Sequence, residues 1–216
     1  MSEDVLQRHA GRQRLFAAST ALLGWLGLGL QLSVVLQTRQ AAGLDAMGGV
    51  INFLAYFTIW TNLLGAVALS CEALRPRSRS ALAVNRPGTL TAIAACVAMV
   101  GITYHSLLRR LWDPAGTQLL ADNLLHSAVP ALFLIFWWLF VAPARANWRS
   151  ALRWALFPAA YLLFALLRGA VDGFYAYPFI DAGQLGYGQV FLNAIGVLAM
   201  FLFIAAVLIW LDKRKR

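Results

Sequence analysis

Charged residues are scarce in this chain: Asp, Glu, Lys and Arg make up 12% of its 216 residues, whereas 61% are hydrophobic. Soluble domains carry about a quarter charged residues, so this composition excludes an ordinary soluble domain. A helix needs roughly 20 apolar residues to cross a bilayer, and the chain has room for six such helices. We therefore expect an all-α integral membrane protein, with residues 1–216 forming one bundle of six transmembrane helices.

Other absences exclude further classes of protein. The chain has two cysteines, Cys71 and Cys96, and their spacing from the three histidines fits no metal site. We expect neither a disulfide nor a zinc site, and no cofactor. A retinal Schiff base is excluded because no lysine lies in a predicted helix. Asp122, near one end of its helix, is the deepest candidate acid, which disfavours transport through a relay of carboxylates.

The apolar runs set the predicted helices at about residues 15–36, 51–73, 90–108, 119–141, 152–170 and 189–211. The basic N-terminal segment leads into the first helix without a small-residue cleavage site, which predicts no removable signal peptide. Of the 18 basic residues, 14 lie in the N-terminal segment, the loops after the second and fourth helices, and the C-terminal tail. This asymmetry predicts cytoplasmic termini in a cell membrane rather than a nucleic-acid partner.

The second predicted helix carries polar residues within an apolar run. Thr58, Thr61 and Asn62 are spaced i, i+3 and i+4, which places them on one helix face. Inside a membrane such a face turns toward protein. A simpler interpretation of Thr58 is a hydrogen bond to the carbonyl of Leu54, four residues back.

The predicted topology brings several polar residues to one level. Thr58 and His126 each lie about seven residues from the outer ends of their helices, roughly 10 Å into the membrane at 1.5 Å per residue. His105, Asn123 and Arg168 reach the same layer from near the outer ends of their predicted helices. This distribution predicts a cavity that opens toward the outer leaflet. A neutral His126 would accept a proton there as a general base.

The other polar candidates each have more than one possible role. Thr61 and Asn62 are interpreted as packing or orienting groups. Arg168 is either an interfacial arginine or a ligand for a carboxylate or phosphate, with Asp172 as an alternative partner.

Three stretches together resemble one known family. They are Phe57-Thr58, residues 123–130 (Asn-Leu-Leu-His-Ser-Ala-Val-Pro) and residues 173–180 (Gly-Phe-Tyr-Ala-Tyr-Pro-Phe-Ile). Over nearly its whole length the chain resembles the androgen-induced-gene proteins and the androgen-dependent tissue-factor-pathway-inhibitor regulating protein, with their bacterial six-helix relatives.

The resemblance implies a membrane threonine hydrolase that cleaves fatty acid esters of hydroxy fatty acids. The family's nucleophile matches Thr58, with Thr61 a competing candidate, and its histidine matches His126. Tyr177, in the third matching stretch, becomes a candidate for binding or orienting the substrate. The chain departs from the animal proteins at Thr61, where they carry an acid, so the third group that orients the histidine is left open.

The implied mechanism forms an acyl-threonine intermediate, with Asn62, Asn123 or Thr61 as the donor to the oxyanion. The expected partners are a lipid ester and the surrounding membrane lipids. The alternative is a non-enzymatic protein that binds or transports a lipid or small molecule in the same polar pocket.

Overall fold

The computed structural model describes residues 3–76 and 78–215; Arg77 and Arg216, which were counted in the basic asymmetry, lie outside them. Within the described residues the chain forms nine α-helices, two π-helical turns and one short 3₁₀ turn, with no strand. The helices are α1 (Glu3–Ala41), α2 (Ala46–Phe53), α3 (Phe57–Leu74), α4 (Arg79–Val84), α5 (Pro87–Thr103), α6 (Gly116–Asn123), α7 (Val129–Phe140), α8 (Trp148–Asp172) and α9 (Ala182–Asp212).

Six helical stretches of the described chain are long and apolar enough to cross a membrane. They are Gln7–Ala41, Phe57–Leu74, Pro87–Leu108, Gly116–Phe140, Trp148–Asp172 and Ala182–Asp212. The prediction of an all-α, multi-pass membrane protein is confirmed. Helices α1, α8 and α9 extend beyond their predicted bounds because hydropathy detects only the apolar part of a helix, and helical hydrogen bonding continues past it.

The predicted helix at 51–73 is wrong at its start, because the chain breaks between α2 and α3. The break exposes backbone carbonyls, which other side chains satisfy. The carbonyl of Leu54 accepts from Trp60 Nε1 at 2.7 Å, and that of Ala55 accepts from the Tyr161 hydroxyl at 2.7 Å. Tyr161 belongs to α8, so a helix that is distant in sequence but adjacent in space stabilises the break. Thr58 consequently lies in the first turn of α3 rather than in the middle of a helix.

The predicted helix at 119–141 is interrupted by a π-helical turn at Leu124–Ala128. Pro130 follows this turn, and a proline ring clashes with the carbonyl four residues earlier, here that of His126. The wider π turn accommodates the clash, and turns of this kind are frequent at functional sites. The carbonyl of Leu125 in this turn accepts from Asn62 Nδ2 at 3.1 Å, which ties the turn to α3.

A second π-helical turn, Tyr104–Leu108, continues α5 and lies against the first. His105 Nε2 and Ser127 Oγ join the two turns at 3.0 Å. The helices approach closely here, since a Cβ on Gly101 would lie 3.5 Å from the His126 carbonyl oxygen. The two irregular turns therefore face each other across one helix interface.

Large aromatic side chains of α7 and α9 fill the core of the bundle. Phe133 and Phe136 of α7 and Phe201 of α9 are fully buried, and the indole N–H of Trp137 donates to Thr91 Oγ1 at 2.9 Å. Close packing and interhelical hydrogen bonds of this kind hold membrane helices together, because lipid supplies little hydrophobic drive for association.

Candidate active site

The structure brings Thr58 and His126 together. Thr58 Oγ1 lies 3.3 Å from His126 Nε2, and both side chains are largely buried. The expected alternative, a hydrogen bond from Thr58 to the Leu54 carbonyl, is not what the described residues form, because the break before α3 turns that carbonyl toward Trp60. The threonine hydroxyl is thus directed at a histidine ring nitrogen.

Asp122 lies on the other side of the histidine. His126 Nδ1 is 3.2 Å from Asp122 Oδ1 and 3.1 Å from the Asp122 carbonyl oxygen. With two oxygens facing it, Nδ1 is the nitrogen that carries the proton in the neutral imidazole. Nε2 is then the acceptor that faces Thr58. Asp122 itself is 1% exposed, so the carboxylate is held away from water.

Tyr104 completes the surroundings of this pair. Its hydroxyl donates to Asp122 Oδ2, and its ring stacks on that of His126 with centroids 4.2 Å apart. The group that orients His126 was left open by the sequence. The signal for Asp122 was present, since residues four apart are neighbours on a helix surface. Tyr104 belongs to another helix, and its role depends on how the two π turns meet.

Tyr177 reaches Thr58 from the connection between α8 and α9. Its hydroxyl oxygen accepts from the Thr58 backbone N–H at 3.3 Å and lies 3.4 Å from Thr58 Oγ1. Burial raises the pKa of Tyr177, so the hydroxyl keeps its proton at neutral pH. The first-turn N–H groups of α3 add the positive end of a helix dipole at the same place. Negative charge that develops beside Thr58 Oγ1 would therefore be stabilised.

Two candidates on α3 lie next to the site without lining it. Asn62 Nδ2 donates to the carbonyls of Thr58 at 2.8 Å and Leu125 at 3.1 Å, so its N–H groups are already used within the protein. Thr61 is 0% exposed, and within the described chain its hydroxyl has no hydrogen-bond partner. Asn62 therefore ties α3 to the π turn and has no side-chain N–H left for an oxyanion, while Thr61 does not line either cavity described below.

Two further candidates point away from the site. His105 is exposed and contacts Ser127 rather than Thr58 or His126, because successive residues of a helical turn face different directions. Asn123 precedes the π turn and is not among the residues that line the cavities described below. Neither residue lines the cavities at the candidate site, because equal depth along a helix does not fix the direction of a side chain.

Arg168 is engaged within the protein. Its guanidinium donates to Asp172 Oδ2 and to the Ile51 carbonyl, each at 3.0 Å, and also to Asn52 Oδ1. It also lies over the ring of Phe174, 4.4 Å from the centroid. These contacts join α8 to α2 beside the break and leave the side chain only 10% exposed. The geometry favours the structural interpretation of Arg168 over its role as a reader of a substrate carboxylate.

Two cavities meet at the candidate site, and both are lined by Thr58, His126, Leu108 and Tyr177. The deep chamber, of about 290 Å³, lies between α5, α8 and α9. The outer chamber, of about 310 Å³, extends toward the ends of α1 and α6 and the connection after α8. A ligand that fills both chambers would pass directly over the threonine hydroxyl.

Within the described residues, no group of three or more His, Cys, Asp or Glu side chains is placed to hold a metal ion. Comparison of the chain with protein families, curated proteins and solved structures finds no match.

Proposed function

We propose that this protein is an intramembrane hydrolase of lipid esters, with Thr58 as nucleophile and His126 as general base. The observation that carries the proposal is the contact of Thr58 Oγ1 with His126 Nε2 at 3.3 Å, with Asp122 on the other side of the ring: its carbonyl oxygen lies 3.1 Å and its Oδ1 3.2 Å from His126 Nδ1. A nucleophile next to a base, with the base oriented by a buried carboxylate, is the arrangement used for nucleophilic acyl transfer on many folds.

In the proposed first half of the reaction, His126 Nε2 takes the proton of Thr58 as Oγ1 attacks the ester carbonyl. Asp122 holds the imidazole in the required tautomer and stabilises the imidazolium. The ester C–O bond then breaks, and His126 gives the proton to the departing alcohol. In the second half, a water molecule loses a proton to His126 and attacks the acyl-threonine, which releases the fatty acid and restores Thr58.

The oxyanion formed in each half needs a donor. The Tyr177 hydroxyl supplies it in this proposal, because it lies 3.4 Å from Thr58 Oγ1 and is already bound by a backbone N–H of the first turn of α3. Removal of one such donor in other enzymes lowers kcat about 10²–10³-fold. The first turn of α3 contributes through its dipole.

The substrate class follows from the surroundings of the pair. The deep chamber is lined almost entirely by apolar side chains, which suits a fatty acyl chain. The resemblance of residues 57–58, 123–130 and 173–180 to the membrane threonine hydrolases suggests fatty acid esters of hydroxy fatty acids. We further propose that both termini are cytoplasmic and that the protein resides in the cell's inner membrane, because of the distribution of arginines.

The test is hydrolysis of a panel of lipid esters by the purified protein, together with covalent labelling by a fluorophosphonate, which requires an activated hydroxyl. Thr58→Ala is expected to abolish both, whereas Thr61→Ala, one helical turn away, retains both. Activity in Thr58→Ala with complete loss in Thr61→Ala would move the nucleophile to Thr61. If the wild-type protein neither hydrolyses esters nor reacts with the probe, the function is binding or transport of a lipid.

A further inference from the structure

The chambers that meet at Thr58 differ in chemistry. Apart from the shared site residues, only Thr103 and Tyr161 carry polar groups among the residues lining the deep chamber, and the Tyr161 hydroxyl is already bound to the Ala55 carbonyl. The outer chamber is lined by the side chains of Gln31, Gln118, Asp122 and Tyr104 as well. An ester that spans both chambers would therefore have its two halves in different environments.

The deep chamber is open to the lipid. Part of its wall is formed by side chains on the surface of the bundle, on α8 and α9. Phe191 is 66% exposed, Ile195 49% and Leu198 44%, and Ala159 across the gap is also exposed. A bilayer surrounds this surface, so the gap between α8 and α9 connects hydrocarbon to the catalytic pair. An acyl chain can enter sideways without crossing water.

The outer chamber contains a pair of amides that join α1 to α6. Gln118 Nε2 donates to Gln31 Oε1 at 2.9 Å, Gln31 Nε2 donates back to Gln118 Oε1 at 3.5 Å, and both side chains are half-buried. Each amide has two N–H groups and two lone pairs, so this pairing leaves capacity for a ligand. Both residues line the outer chamber, so a ligand with hydrogen-bonding groups would find partners in their remaining N–H groups and lone pairs.

We infer that the acyl half of the substrate occupies the deep chamber and the alcohol half occupies the outer chamber. The inference rests on the proposed function and adds the class of ester: a long apolar fatty acid joined to an alcohol that carries hydrogen-bonding groups. In the first step the Thr58 Oγ–acyl bond forms and the ester C–O bond breaks. The proton of Thr58 passes through His126 Nε2 to the alcohol oxygen.

Two features of the site favour placing the acyl half in the deep chamber and the alcohol half in the outer chamber. The departing alcohol oxygen receives its proton from His126, and the residues around the outer chamber include Asp122 and Tyr104, both of which contact this histidine. The alcohol then leaves through a polar chamber, and the water that cleaves the acyl-threonine enters by the same route. The acyl chain stays meanwhile in a chamber that favours hydrocarbon.

The first experiment narrows the deep chamber. Ala194→Phe narrows the deep chamber from α9, and Ala199→Phe, on the exposed surface of the same helix, is its matched control. With 4-nitrophenyl esters from acetate to palmitate, Ala194→Phe should lower kcat/KM for palmitate about tenfold or more relative to acetate. Ala199→Phe should leave that ratio unchanged. An unchanged ratio in both variants would overturn the assignment of the acyl chain.

The second experiment concerns the alcohol half. Octanoate esters of glycerol and of hexanol share one acyl group and differ in hydrogen-bonding capacity. Replacing both amides together, Gln31→Met with Gln118→Met, should reduce the preference for the glycerol ester about tenfold or more. Val35→Phe, which narrows the outer chamber, should lower kcat/KM for hexyl octanoate relative to methyl octanoate. It should not change the dependence of kcat/KM on acyl length. The opposite pattern would reverse the orientation.

These outcomes distinguish failure of the proposed hydrolase function from failure of the proposed placement of the substrate. If no ester is cleaved in a Thr58-dependent manner, the proposed hydrolase function fails. If hydrolysis depends on Thr58 but Ala194→Phe leaves acyl preference unchanged, the hydrolase survives and the division of the substrate between the chambers is wrong.

Discussion

Tyr104 lies flat against His126, with ring centroids 4.2 Å apart and ring planes within 16° of each other. The same tyrosine donates its hydroxyl hydrogen bond to Asp122. One side chain from the π turn after α5 thus contacts both His126, the proposed base, and the carboxylate of Asp122 beside it. This arrangement predicts that the geometry of the proposed base depends on a residue that does not contact the nucleophile.

Replacement of Tyr104 tests this dependence. Tyr104→Phe keeps the stacked ring and removes one hydrogen bond, so kcat should fall by up to about tenfold while KM changes little. Tyr104→Leu also removes the stack and should lose more. Steady-state kinetics on one ester check both. A change confined to KM would instead mean that Tyr104 contacts the substrate.

Asp122→Asn tests the orientation of the histidine. The amide is nearly the same size as the carboxylate but does not stabilise an imidazolium, and a comparable change in a serine protease triad lowers kcat about 10⁴-fold. We expect a loss of at least a hundredfold in kcat with normal folding. Thermal unfolding in detergent supplies the folding control, and retention of full activity would remove Asp122 from the mechanism.

Thr58→Ala combined with His126→Ala tests whether the pair acts as one unit. Each single change should abolish ester hydrolysis, and the double variant should be scarcely worse than either, because residues that act together have strongly non-additive effects. Additive losses in kcat would contradict a nucleophile–base pair.

Arg168→Gln should act on stability rather than on substrate choice. It removes charge-assisted hydrogen bonds to α2 and Asp172, each typically contributing about 1.5–3 kcal/mol, and leaves Asn52 and the Ile51 carbonyl without their donor. We expect a lower unfolding temperature and equal loss of activity on acidic esters and on their methyl esters. Arg168→Lys keeps the charge but loses the fork geometry, and should rescue stability only in part. Selective loss on acidic esters would restore the role in carboxylate recognition.

The predicted topology has its own test in the two native cysteines. Cys71, half-buried near the end of α3, should react with a membrane-impermeant thiol reagent only after cells are permeabilised, whereas the buried Cys96 should stay unlabelled. Asp181→Cys, in the connection before α9, should label in intact cells. The reverse pattern would invert the bundle and, with it, the side from which the outer chamber opens.

The fold class could be predicted from the sequence because a membrane span is defined by the hydropathy of about 20 consecutive residues, which is a local property. It was wrong about the helix at 51–73 because hydropathy does not detect a break within an apolar run. The break depends on donors such as the Tyr161 hydroxyl, which belongs to a helix about a hundred residues later in the chain. Depth along a helix correctly placed Thr58 and His126 at one level, but it did not specify direction, so His105 and Asn123 were included although they face elsewhere.

The sequence by itself determined that this chain is an all-α membrane protein, and it placed Thr58 and two histidines, His105 and His126, at similar depths. Residue chemistry and helical rise were sufficient for that. Only the tertiary structure decided that Thr58 begins a helix, that Tyr104 contacts both His126 and Asp122, and that two unlike chambers meet there. Each of these features depends on contacts between different helices, whose packing and relative rotation are set by side-chain fit across the whole bundle rather than by any local stretch.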